Sequence, residues 1–164
     1  MHESTTAVTT PARPTLAWAE RPTVAQRTSA QQAVARLFEI LVPQKPPTRR
    51  EDPAAEVQRH RSPTGCILQA PDRAVSVSWF ADSVNDLTLG ELQLITWRGQ
   101  VSRPGAARKP GAAAGAVATP VTQEALTPVD AGPGRGWVWQ DAAGATYDAA
   151  ALAARCEALL GEPA

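Results

Sequence analysis

The chain has 164 residues, which sets an expectation of one domain, and its 16 basic and 16 acidic side chains cancel. Alanine supplies 32 residues, whereas Ile, Leu, Val and Phe together supply 30, about 18% of the chain and below the roughly 20% of a well-packed domain, so only part of it can build a core. The near-zero net charge excludes full disorder, and the absence of about 20 consecutive apolar residues excludes a spanning helix: the longest such stretch, 111–118, is Ala, Gly and Val.

Residues 1–27 read as a flexible arm, rich in Thr, Pro and Ala, in which Leu16 and Trp18 are an isolated apolar pair between Pro14 and Pro22. Residues 28–161 read as a single small α+β domain. From Ser29 to Leu41 the apolar positions Ala30, Ala33, Val34, Leu37, Phe38 and Leu41 recur at the spacing of one helix face, and Pro43 stops the helix by removing a backbone donor. Ser29 with Gln32 reads as its capping box, and Thr23 with Gln26 is a second box that would start it earlier.

Residues 43–64, with five prolines and Arg49, Arg50, Arg59, His60 and Arg61, read as a linker. Strands are expected at Cys66–Gln69 and Ala74–Phe80, flanking a Pro71-Asp72 turn, because Val75, Val77 and Trp79 alternate with Ser76 and Ser78. A third strand is expected over Leu87–Trp97 and a short fourth over Gln100–Ser102, turned at Arg98-Gly99. Residues 103–120 read as an Ala/Gly/Pro-rich loop. A last hairpin is expected over Gly136–Gln140 and Ala145–Tyr147. Asp148 is the natural N-cap of a helix over Ala149–Leu160 with the stripe Leu152, Cys156, Leu159 and Leu160, Gly161 its C-terminal cap, and 162–164 a tail. The expected fold is α+β: an antiparallel sheet of four to six strands packed by an N-terminal and a C-terminal amphipathic helix, with irregular arms.

No catalytic, metal or cofactor motif stands out. His2 lies in the arm and His60 in the linker, so neither is positioned for acid or base work. Cys66 and Cys156 form no paired spacing, which removes zinc-ribbon and thioredoxin-like readings and leaves two reduced thiols; with no secretory signal visible, the cytoplasm is the expected location. Asp82, Asn85 and Asp86 lack the spacing of a calcium loop, and Gly132, Gly134 and Gly136 lack the strand and helix of a phosphate loop.

The expected function is therefore a non-enzymatic interaction or accessory module with a protein partner, contacted through Leu16 and Trp18 in the arm and Arg103 and Arg108 in the loop. One alternative is small-molecule binding or simple acid/base catalysis in a curved-sheet pocket built from Trp79, Asp82, Asp86, Trp137 and Trp139. Another is weak nucleic-acid contact through the Arg-rich linker, disfavoured because Glu51, Asp52 and Glu56 interrupt it and the chain carries no excess positive charge.

Overall fold

The structure, a computed structural model, describes residues 21–44, 57–84, 87–101 and 118–161. Helix α1 spans Val24–Leu41. It starts at the earlier of the two boxes: Thr23 Oγ1 accepts from the Gln26 backbone N–H at 3.2 Å, and Gln26 Oε1 accepts from the Thr23 N–H at 2.8 Å. The helix thus begins inside the segment read as arm, and Ser29, one turn further on, lies within it. Ala30, Val34, Leu37, Phe38 and Leu41 form its buried stripe.

Seven strands follow: β1 Gln58–Ser62, β2 Gly65–Gln69, β3 Arg73–Phe80, β4 Glu91–Arg98, β5 Thr119–Asp130, β6 Trp137–Gln140 and β7 Thr146–Tyr147, before helix α2, Ala149–Gly161. Each strand pairs antiparallel with the next in sequence, giving one sheet in the order β1 to β7. The expected antiparallel sheet with a helix near each end is what forms, but with seven strands rather than four to six. The two additional ones, β1 and β5, carry little apolar alternation. β1 reads Gln-Arg-His-Arg-Ser inside the presumed linker, and β5 begins within the segment read as loop and has Leu126 as its only buried residue. A charged edge strand pairs through its backbone and needs no apolar signature, which also discourages pairing with another chain. Conversely, of the short strand expected over 100–102, residues 100 and 101 are described and form no strand: Gln100 makes an isolated bridge, and the Val101 N–H donates to Gln69 Oε1 at 2.9 Å.

One face of the sheet presents Cys66, Leu68, Val75, Val77, Leu92, Leu94, Leu126 and Trp139, and both helical stripes close over it to form a single core. Each fully buried Leu or Val there contributes about 1.5–3 kcal/mol of transfer free energy. α2 is seated by Asp148, whose Oδ1 accepts from the Ala151 N–H at 2.7 Å, and its buried positions are Leu152, Ala153 and Cys156. Gly161 is its last helical residue rather than a cap beyond it.

The opposite face follows from the two-residue period: Ile67, Ser76 and Ile95 lie in one row across β2, β3 and β4. Trp97 lies on this face and donates its indole N–H to Ser76 Oγ at 2.9 Å. No helix among the described residues covers it. At one end of the sheet Gln69 binds two turns together, its Nε2 donating to the Arg73 carbonyl at 3.1 Å and the Gly99 carbonyl at 3.3 Å.

Candidate functional site

The residues named from sequence separate into three groups. Leu16, Trp18, Asp86, Arg103 and Arg108 lie outside the described residues. Trp79, Trp137 and Trp139 share the helix-covered side. Trp139 is fully buried and meets Trp79 edge to face, with ring centroids 6.0 Å apart and planes at 70°. Trp137 donates its indole N–H to Ser29 Oγ of α1 at 2.8 Å. Trp137 thus ties β6 to α1, while Trp139 fills the core with Trp79 packed against it, so the three rings do not build an open stacking platform.

Asp82 stands apart from the tryptophans, at the start of the β3–β4 connection. Its Oδ2 accepts from the Leu87 N–H at 3.1 Å, the Thr88 N–H at 3.0 Å and the Thr88 hydroxyl at 3.2 Å. A carboxylate oxygen receiving three donors is a turn-forming acceptor. Arg27 of α1 braces the same connection, Nη1 donating to the Asp82 carbonyl at 3.3 Å and the Thr88 carbonyl at 3.2 Å.

Beside this brace is an open depression of about 300 Å³, lined by Phe80, Ala81, Asp82, Thr88, Gly90, Glu91 and Thr127. The register places Phe80 opposite Glu91 on the uncovered face of the sheet, and the Phe80 side of the depression is apolar and half exposed. Gly90 makes the close approach possible. Its φ is 115°, and a Cβ there would meet the Phe80 carbonyl, Ala81 Cα and the Trp79 ring, so only glycine holds this crossing without strain. Glu91 Oε1 accepts from Gln93 Nε2 at 3.0 Å, leaving a rim rich in acceptors.

A second polar cluster, which sequence reading missed, joins β5, the β6–β7 turn, β7 and α2. Arg155 Nη2 donates to both carboxylate oxygens of Glu124, at 3.0 and 2.8 Å, and the guanidinium lies 4.7 Å from the centroid of the Tyr147 ring. The Tyr147 hydroxyl donates to Asp141 Oδ2 at 3.1 Å. Partial burial pushes the Asp141 carboxyl up. The N–H groups of Ala145 and Ala143, the Tyr147 hydroxyl and the nearby Arg155 charge outweigh this and hold it below the ordinary value. Burial and the bond to Asp141 raise the Tyr147 phenol in turn. Arg155 Nη1 is buried without a hydrogen-bond partner, 4.0 Å from Asp141 Oδ2. Four residues spaced this far apart carry no local motif, so only the fold brings them together. Two carboxylates around one guanidinium leave one formal negative charge in excess, and the bidentate Arg155–Glu124 pair ties α2 to β5.

The two thiols and the arginines of β1 are also committed. Burial pushes the thiols of Cys66 and Cys156 up to about 12, so neither is a nucleophile near neutral pH. Arg59 Nη1 donates to the Leu41 carbonyl at 2.8 Å, at the C-terminal end of α1, and its Nη2 pairs with Glu157 at 2.5 Å. Arg61 lies over the Phe38 ring at 5.8 Å. Arg59 and Arg61, the linker arginines among the described residues, are thus engaged within the fold. Among the described residues no three His, Cys, Asp or Glu side chains gather as a metal ion would require, and no helix is long and apolar enough to cross a membrane.

No family model, curated protein or solved structure matches the chain.

Proposed function

We propose that this chain is a non-enzymatic interaction module and that it receives a protein partner at the Phe80 end of the uncovered sheet face. The observation that carries this reading is the pairing of a filled core with an open apolar depression. Phe80 is 50% exposed and Leu87, on the connection that borders it, 55% exposed, although large apolar side chains are scarce in this chain. The Glu91 carboxylate on the rim favours a partner segment that brings an apolar side chain flanked by an N–H donor or a basic group.

The acid/base alternative has less support. It needs a carboxylate held beside Trp79 in an enclosed cavity, whereas Asp82 is occupied with the turn and the depression is open to solvent. Contact with nucleic acid through Arg59 and Arg61 would compete with their bonds to Glu157 and Leu41 and with the Phe38 ring.

Affinity capture from the native cell with wild type and Phe80→Glu, followed by reconstitution with the purified partner, tests the reading. The expected result is a partner whose Kd rises at least tenfold with Phe80→Glu, about 1.4 kcal/mol, while the thermal midpoint is unchanged. Equal recovery by both baits would remove the support for this face.

A further inference from the structure

We infer that the outer edge of β5 over residues 121–125 is a docking slot for an extended, basic segment of a partner protein, which adds to the sheet as a strand in line with β6. β5 has 12 residues, but β6 pairs with only the last four, 127–130. Ala131, in the same register, gives its N–H to the Gly136 carbonyl at 2.9 Å, so the odd-numbered residues of β5 turn their backbone groups toward the β6 side. Thr122, an even-numbered one, gives its N–H to Thr96 Oγ1 of β4 at 3.1 Å. By the alternation of an antiparallel strand, Gln123 and Ala125 turn their N–H and C=O outward, where no strand among the described residues pairs with them.

The other edges of the sheet are blunted. β1 carries Arg59, His60 and Arg61, and β7 is two residues long and leads at once into α2. The 121–125 edge has neither protection. Val121 is 51% exposed, Gln123 and Ala125 are exposed, and no Lys, Arg or Pro stands there. Pro120, which lacks a backbone donor, ends the slot on one side, and Asp141, the residue after Gln140, ends it on the other. Such an edge gives an added strand its affinity through main-chain bonds, and the side chains beside it set the choice of partner.

That choice follows from charge. Glu124, on the helix side of the slot, accepts one bond from Arg155 at each oxygen, and Arg155 Nη1 lies 4.0 Å from Asp141 Oδ2. Both carboxylates share this one guanidinium, so a negative charge remains in excess. A Lys or Arg on the added strand opposite Glu124 balances it while the Arg155 bonds stay in place. A second copy of β5 brings no basic side chain, and Arg59 and Arg61 of β1 are held by Glu157 and Phe38 of their own chain, so the matching strand comes from a different protein. The slot is a backbone edge separate from the Phe80 depression and holds whether or not that depression is used.

The experiment is selection on the full chain from a displayed library of random peptides, followed by ¹⁵N NMR with a selected peptide. The selected peptides are expected to be rich in β-branched residues, to carry Lys or Arg and to lack Pro, and binding is expected to slow hydrogen exchange at the Gln123 and Ala125 amides. Exchanging the peptide's basic residue for Glu should weaken binding about fivefold. Glu124→Gln should remove most of that preference, and Ala125→Pro, which deletes an outward donor, should abolish binding at an unchanged thermal midpoint. No enrichment, a bound peptide that leaves both amides unprotected, or a preference that survives Glu124→Gln overturns the proposal. So do amides protected without peptide and released on dilution, which assign the edge to a second copy.

Discussion

Cys66 and Cys156 are the residues whose chemistry the fold alters most. Removed from water, each thiol is pushed from 9.0 to about 12; Arg61 and Arg59 pull Cys66 back only in part. Below pH 9 both folded and unfolded chains hold these protons, and the thiols add no pH dependence. Between pH 9 and about 12 the unfolded chain releases them while the folded chain does not, so stability falls as pH rises. Each thiol should raise the unfolding constant about tenfold per pH unit in that window. Denaturant titrations across it should show a shallower fall for Cys66→Ala combined with Cys156→Ala, and a disulfide reagent should label wild type at neutral pH only after denaturation. Asp141 works in the opposite direction. Its carboxyl is held low by N–H donors and the Tyr147 hydroxyl, so its contribution is present above the ordinary 3.8 and is lost as pH falls through the lower folded value. Asp141→Asn should therefore flatten the acid limb of a stability profile, measured by thermal melts from neutral pH downward.

At the scale of elements, the helices and the central strands were legible because their burial is written in period. The stripe of α1 and the Val75, Val77, Trp79 alternation of β3 each have one face in the core, and the sequence shows it directly. β1 and β5 were not legible, since an edge strand and a strand interrupted by Pro120 and Pro128 pair through backbone groups that every residue type shares. The site divides in the same way. Asp82 as a turn former follows from its place in a polar connection, but the depression depends on Phe80, Glu91 and Thr127 meeting across three strands, and no linear pattern encodes that register. For α2, Leu152→Ala should cost about 2–5 kcal/mol because the side chain is fully buried, and Asp148→Ala about 1 kcal/mol through loss of the cap. Equilibrium denaturation measures both, and changes under about 0.5 kcal/mol would place α2 outside the cooperative unit.

Across the whole molecule, every strand pairs with its neighbour in sequence, so chain connections carry little topological burden. β4 ends at Arg98 and β5 begins at Thr119, yet these strands are adjacent and antiparallel, a geometry that a much shorter turn can close. Removing residues 104–115 while keeping Val101, which donates to Gln69, should leave stability within about 1 kcal/mol of wild type, since halving a loop changes closure entropy by only about 0.6 kcal/mol. A larger loss in urea denaturation would mean that this connection contributes packing of its own.

The packing of α1 against α2 has a consequence for synthesis on the ribosome. The first helix to emerge carries Leu37, Phe38 and Leu41, and the surfaces that bury them include a helix made more than a hundred residues later. With elongation at about 5–20 residues per second, the nascent stripe waits several seconds or more for its cover, long after its own hydrogen bonds can form. Translation thus holds a sticky, half-finished sheet until the last turn of α2 clears the exit tunnel. That interval is when a chaperone would have most to bind.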